Sequence, residues 1–340
     1  INAAGEWNKY KKELDEDGIN IIKLTESKII DNSNYTGFLK SRLIYLYLFF
    51  ILLVPLLRLL KKRPPDYFII HLITPLPLLL NYFFDIKTKT ILRISGLPKL
   101  NLLRKFFWKK TLKNIFHITC PTKATSSRIR DLKIISSEKV STLYDPILNI
   151  QLINKKKREE STFKLNNFYL AIGRLTEQKN FKFLIDVFSE FIKSSNNNLI
   201  IIGEGEEKGS LQKLIEKKNL EDRIILVGFK NNVFKYFKKS KCFILSSLWE
   251  DPGFVLVESA YMNIPIISSD CDNGPKEILA HGKSGILFKS NDKVSLLNAL
   301  LKFENMDKKA INEKLLNCKK GIKAFTYFNH FKNLEKILEN

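Results

Sequence analysis

Ser247-Leu248-Trp249-Glu250-Asp251-Pro252-Gly253-Phe254-Val255-Leu256-Val257-Glu258-Ser259-Ala260 is the stretch on which the reading of this chain turns. The apolar run at 241–247 predicts a buried strand. The apolar run after Pro252-Gly253 continues past strand length and predicts a helix with proline in its first turn. Glu250 then falls in the strand-to-helix loop, and Glu258 about one and a half turns into the helix. Such a junction presents free backbone N–H groups at the positive end of a helix dipole, which suits an anion such as a phosphate. Carboxylates flanking an anion site are aimed at something else, sugar or ribose hydroxyls. A solvated surface position would explain Glu250. It explains Glu258 poorly, because Phe254, Val255, Leu256, Val257, Ala260 and Tyr261 surround it and a carboxylate there needs a partner.

Outward from this stretch, the 340 residues, 44% hydrophobic and 27% charged, suffice for two domains with sizeable cores and exclude a disordered chain. The sequence opens Ile1-Asn2-Ala3 with neither an initiator methionine nor a signal-peptide pattern, and reads as starting inside a domain. Cys120, Cys242, Cys271 and Cys318 lack any Cys-x-x-Cys spacing and read as reduced thiols of a cytoplasmic protein. Of the net charge of +22, residues 32–130 carry +16, from 18 Lys or Arg against Asp66 and Asp85. A field of that sign favours nucleic acid, an anionic membrane surface or a phosphorylated substrate. No nucleic-acid module is present, so no nucleic acid is expected as partner.

The apolar run 43–57 has basic ends, Lys40 and Arg42 before it and Arg58, Lys61, Lys62 and Arg63 after it. It is shorter than the ~20 residues of a membrane span and is interrupted by Pro55, so it predicts either a core helix with a greasy outer face or an interfacial helix on anionic lipid. A helix-like segment 7–14 and a strand 19–24 precede it. Strands at 67–72, 90–96 and 116–120, the last two separated by a basic helix at 102–113, predict a parallel sheet with crossovers. The polar stretch 154–164 predicts a linker. Beyond it the rhythm is clearer: strand 168–172 ends at Gly173, strand 199–202 at Gly203-Glu204-Gly205, and strand 224–227 at Gly228-Phe229. These glycine turns mark the carboxyl edge, where open parallel sheets bind ligands. Arg174 and Lys179 share that edge with the glutamates, where a fork and a point charge can neutralise a diphosphate leaving group.

Together, Gly173-Arg174-Leu175 with Lys179-Asn180, Ile201-Ile202-Gly203-Glu204-Gly205-Glu206, Val227-Gly228-Phe229, Glu250 with Glu258, Gly274-Pro275 with Glu277-Ile278, and Gly282 with Gly285-Ile286-Leu287 resemble the nucleotide domain of retaining glycosyltransferases of family 4, with the GT-B fold. The resemblance implies that Arg174 and Lys179 hold the donor diphosphate with N–H groups around Phe254 and Val255, after Gly253. It also implies that Glu258 binds the ribose, Glu250 binds the donor sugar, and Gly203, Gly205, Gly228 and Phe229 border the base. Asp251-Pro252 stands where family members often have glycine after the first glutamate. More loosely, Pro65-Asp66 with His71 is similar to the family's strand whose histidine faces the donor, which gives His71 a role at the donor phosphate or sugar. His117, His281 and His330 have no such context. Asp270-Cys271-Asp272 is read as a loop, and no metal is implied. The family's first domain opens with a strand and a Gly-rich loop; none precedes the first motifs here, so that opening reads as missing and the chain is expected to be inactive alone.

The expected fold class is α/β, GT-B, with two Rossmann-like domains facing across a cleft. The expected domains are 1–153 on the acceptor side, 154–320 for the nucleotide sugar, and 321–340 as a C-terminal helix crossing back. The implied function is transfer, with retention, from a UDP- or GDP-linked nucleotide sugar to a glycan or lipid-linked acceptor in envelope polysaccharide synthesis, with no separate cofactor. No carboxylate in a matching motif suits double displacement, and the family is thought to use front-face attack. The implied partners include an anionic membrane surface, with the protein peripheral on the inner face of the cytoplasmic membrane. Rival readings are a sugar-nucleotide epimerase of the same fold and a non-catalytic GT-B partner protein.

Overall fold

The structure, a computed structural model, describes residues 1, 7–25, 38–71, 75–96, 101–159 and 163–339. Two compact units emerge: Ile1–Ile94, Lys99–Thr119 and Leu132–Val140 form the first, and Ser95–Pro98, Cys120–Asp131 and Ser141–Asn340 the second. The units run differently along the chain from the expected division after residue 153. Leu148 and Ile153 are buried with Phe168, Leu170 and Phe237 in a core of the second unit, so the segment ahead of the predicted linker packs against residues on the linker's far side.

Four short strands, β1 (Tyr67–His71), β2 (Lys89–Arg93), β3 (His117–Cys120) and β4 (Val140–Thr142), lie in sequence order, with β1–β2 and β2–β3 parallel. Helices Pro75–Phe83 and Leu102–Thr111 make the first two crossovers. Before them the chain forms one 25-residue helix, Phe38–Lys62, with Pro55 inside it. This corrects the expectation that Pro55 interrupts a shorter run. Leu48, Leu52, Leu56 and Leu60 hold the turns on both sides of the proline in one core with Leu76 and Leu80, which offsets the lost backbone hydrogen bond. By length and composition this helix could cross a membrane. The helix-like segment near the start is a 3-10 turn, Asn8–Tyr10, followed by helix Lys11–Glu16. The strand expected at 19–24 does not form: only Lys23 makes a bridge there, because apolar residues alone do not supply a neighbouring ladder.

The second unit holds a six-stranded sheet of β5 (Phe168–Ile172), β6 (Leu199–Ile202), β7 (Ile224–Gly228), β8 (Ser240–Leu245), β9 (Ile266–Ser269) and β10 (Ile286–Phe288). The spatial order is β10-β9-β8-β5-β6-β7, every pair parallel. Read from β7, this is the doubly wound order 3-2-1-4-5-6, in which the direction of winding reverses between β5 and β8. Both faces are covered. Tyr169, Ala171, Ile201 and Ile244 point into one core with helix Phe181–Phe191, while Phe168, Leu170, Phe243 and Leu245 point into the other with Leu256 and Val257. Strands buried on both sides are the reason these segments read as continuous apolar runs.

The predicted linker opens instead on helix Ile150–Lys156, capped by the Asn149 side chain accepting from the Leu152 N–H, and 160–162 lie outside the described residues. The C-terminal helix Tyr327–Leu338 is capped by Thr326. It belongs to the second unit, where His330 Nδ1 lies 2.6 Å from the Tyr144 carbonyl oxygen and the Leu148 N–H donates to the Phe325 carbonyl.

Candidate active site

The switch point of the doubly wound sheet is where the two chemistry-bearing loops meet. The loop after β5 carries Arg174 and Lys179, and the loop after β8 carries Glu250 to Gly253. Backbone and side chain bind the loops into one assembly. The Leu248 N–H donates to the Gln178 carbonyl at 2.9 Å, Gln178 Nε2 donates to the Trp249 carbonyl at 2.9 Å, and Ser246 Oγ donates to the Lys179 carbonyl at 2.8 Å.

The two residues expected to serve different parts of a donor are themselves paired. Lys179 Nζ lies 2.6 Å from Glu250 Oε1, which also accepts from Ser247 Oγ at 2.5 Å, and Glu250 is only 4% exposed. In this state Lys179 is not an independent anion-binding cation. A carboxylate drawn into the sheet edge requires a buried counter-charge, and Lys179 supplies it. Arg174 is exposed, and among the described residues its side chain is held only by a 3.5 Å contact to Gln178 Oε1.

Helix Phe254–Tyr261 begins two residues later than its proline suggested: Pro252 lies outside it and Gly253 is the cap residue, at φ +89. No side chain caps this end, so its first N–H groups face the loop without a competing acceptor from a cap. Glu258 lies on this helix, half-buried; among the described residues no hydrogen-bond or ion-pair partner meets its carboxylate. Burial pushes its carboxyl up to about 7, against a smaller opposing effect of the Lys156 charge. A carboxylate desolvated without a partner is a group awaiting one.

The glycine turns show a tighter role than bordering a ligand. A Cβ on Gly203 would stand 1.8 Å from the Gly173 carbonyl oxygen, and one on Gly205 2.3 Å from that of Leu175. The glycines let the turn after β6 lie directly on the turn after β5, where the Leu175 N–H donates to the Glu204 carbonyl at 2.9 Å. Gly228, at φ +75, leads into Phe229, whose ring is exposed beside this edge.

Sequence reasoning missed a second network at this edge. Asn273 Oδ1 accepts from both Thr122 Oγ1 and Thr125 Oγ1 at 2.7 Å, while Asn273 Nδ2 donates to Asp251. Glu277 accepts the N–H of Lys123 at 2.9 Å, with that of Ala124 at 3.3 Å and Tyr144 Oη at 2.5 Å, and so caps helix Lys123–Asp131. Burial, with the Glu277 hydrogen bond, holds the Tyr144 phenol above its ordinary range. Two signals for it lay in the sequence: Asn273-Gly274, a pair suited to the positive φ values both adopt, and Glu277 in the motif Gly274-Pro275 with Glu277-Ile278, whose contacts the motif does not name. Asp270 meets Lys276 at 3.4 Å and the Ser290 N–H at 2.9 Å, and among the described residues no group of three metal-ligating side chains converges. His71 stands at the exposed carboxyl end of β1, in the first unit.

Residues 153–323, which contain Arg174, Lys179, Glu250, Glu258 and the glycine turns, match the family described as glycosyl transferases group 1. The chain belongs to that family. An uncharacterized glycosyltransferase of Methanocaldococcus jannaschii is 35% identical over 269 residues, 69% of this chain and 66% of that protein. The N-acetylgalactosamine-N,N'-diacetylbacillosaminyl-diphospho-undecaprenol 4-alpha-N-acetylgalactosaminyltransferase of Campylobacter jejuni is 32% identical over 49% of this chain and 44% of its own length. The chain thus spans less than two thirds of these group 1 relatives. A solved glycosyltransferase from Rickettsia africae superposes with a TM-score of 0.73 at 16% identity, covering 97% of this chain and 87% of that one. The fold is GT-B, two α/β units built on parallel sheets as in the glycosyltransferases on which the chain superposes.

Proposed function

We propose that this chain transfers a sugar, with retention, from a UDP- or GDP-linked donor to a lipid-linked or envelope glycan acceptor. The observation that carries the reading is Glu258: a half-buried carboxylate that meets no hydrogen-bond or ion-pair partner among the described residues, on a helix whose start no side chain caps, at the switch point of a doubly wound sheet. Ribose hydroxyls supply two donors for such a carboxylate. The donor diphosphate lies against the N–H groups at Phe254 and Val255, with Arg174 as counter-charge. Glu250, oriented by Lys179 and Ser247, accepts from hydroxyls of the donor sugar and does not attack its anomeric carbon. The acceptor oxygen then attacks from the face the phosphate leaves, and the leaving phosphate takes its proton. His71 is proposed to assist at the donor on the family resemblance alone. The acceptor class follows the Campylobacter jejuni relative, which is named for a diphospho-undecaprenol substrate, and sets the reaction at a membrane surface.

Arg174→Ala tests the anion site. Loss of a charge-assisted contact of about 1.5–3 kcal/mol should weaken UDP or GDP at least tenfold while leaving the nucleoside nearly unaffected. Titration calorimetry reads both, and equal losses would refute the assignment.

Glu258 makes the pH dependence specific. A carboxyl raised to about 7 in the folded protein binds protons more strongly there than in the unfolded chain, so ionising it costs stability progressively as pH rises from about 4.5 to 7. Ribose binding needs the ionised form, so uridine or guanosine affinity should rise about tenfold between pH 6 and 8. Glu258→Gln should flatten that rise, lower affinity, and raise the melting temperature of the free protein at pH 8. A variant that loses stability at pH 8 would make Glu258 a structural group instead.

A further inference from the structure

Consecutive residues of the loop after β8 are fastened to different partners. Lys179 and Ser247 both hold Oε1 of Glu250, and among the described residues no hydrogen bond reaches its Oε2. The next side chain, Asp251, accepts from Asn273 Nδ2. The loop is also laid on the one after β9. Trp249 and Asp272 form a parallel bridge, the Glu250 N–H donates to the Asp272 carbonyl at 3.3 Å, and a Cβ on Gly274 would stand 1.9 Å from the Pro252 carbonyl oxygen. The proposed transfer uses Glu250 and gives Asp251 and Asn273 no task.

Asn273, Thr122 and Thr125 are buried, so their polar atoms turn to one another. A carboxylate only accepts, so the amide nitrogen of Asn273 must face Asp251, and the amide oxygen is left to the Thr122 and Thr125 hydroxyls, both at 2.7 Å. Thr122 Oγ1 in turn accepts the Thr125 N–H at 3.0 Å, in the first turn of helix Lys123–Asp131. Each donor and acceptor in this relay has one assignment, and it ties an exposed aspartate to the rigid start of a helix. Asn273 keeps its place at φ +68, a conformation asparagine tolerates better than most residues. On the other side of Asp251, a Cβ on Gly96 would stand 2.5 Å from its Cγ, so the carboxyl group is held between a bare backbone and the amide. All of these residues belong to the second unit.

We propose that Asp251 and Asn273 are positioning residues for the transfer: by fixing the loop behind Glu250 they set its Oε2 toward the hydroxyls of the donor sugar. This rests on the role proposed above for Glu250. The test follows UDP or GDP release from UDP-glucose, UDP-galactose, UDP-N-acetylglucosamine, UDP-N-acetylgalactosamine and GDP-mannose, with UDP and GDP affinity read by titration calorimetry and folding by melting. Asn273→Asp sets two carboxylates against each other and should lower kcat about a hundredfold, the scale of a 1 Å misplacement, while UDP and GDP affinity is unchanged. Asp251→Asn keeps an acceptor for the Asn273 amide and should be mild. In the pair Asp251→Asn with Asn273→Asp, the carboxylate at 273 accepts from both threonines and from the amide at 251, so kcat should return. Gly96→Ala reaches the same end without touching the relay, because its methyl group pushes the Asp251 carboxylate off Asn273; kcat should fall with little change in melting.

If the wild-type chain releases nucleotide from none of the five sugars, or Glu250→Ala turns over like wild type, the role of Glu250 falls and the positioning role with it. If Glu250→Ala is inactive while Asn273→Asp and Gly96→Ala turn over like wild type, only the positioning role falls. The same holds if kcat and melting drop together in both variants and the exchanged pair restores neither, which would make the relay a structural tie.

Discussion

Lys179→Ala is expected to cost about 3 kcal/mol or more, because it leaves the Glu250 carboxylate buried without its counter-charge. For a unit of this size that corresponds to a melting point lowered by about 6–12 °C. The Ser247 hydroxyl would remain as a donor, but one neutral hydrogen bond does not replace an ion pair at 2.6 Å. Removing both charges together, as Lys179→Met with Glu250→Gln, should restore much of the lost stability while leaving transfer abolished, because the group assigned to the donor sugar is then gone. Calorimetric melting of the two variants checks the first half and a transfer assay the second. A single variant that melts with wild type would mean that the pair is not held in solution.

Gly203→Ala should be equally severe for a different reason. Its Cβ would sit 1.8 Å from the Gly173 carbonyl oxygen, a backbone atom that cannot swing aside, so the turns after β5 and β6 must separate. Overpacking of this kind costs about 3 kcal/mol or more, and it removes the platform that sets Arg174 at the edge. Gly209→Ala is the control. It lies in helix Lys208–Lys217 with nothing within 4 Å of the added carbon, and should stabilise by about 0.5–1 kcal/mol. Urea denaturation of both variants reads the contrast. Near-native stability for Gly203→Ala would show that the turns are not packed as described.

Much of the second unit was legible because its signals are local. β5 and β6 begin and end where their apolar runs do, since a strand buried on both faces needs every residue apolar and a glycine to leave it. Glu258 stood out for the same kind of reason, a carboxylate inside an apolar helical run. The first unit was harder. The segment 19–24 has strand composition, but pairing depends on a neighbour that composition does not name. The run 43–57 is apolar on all sides, and periodicity cannot tell which side a core will take.

The sequence by itself singled out the residues to which the proposed chemistry is assigned: the glycine turns, Arg174, Lys179, and the two glutamates on either side of a helix start. Tertiary structure alone decided which of them are paired. Lys179 and Glu250 are 71 positions apart and become a buried pair only because β5 and β8 are neighbours at the switch point. Asn273 reaches Thr122 across 151 positions, and Glu277 caps a helix 154 positions away. Pairing of that kind depends on strand order, which is set by how whole layers bury their apolar faces, and no local pattern of residues records it.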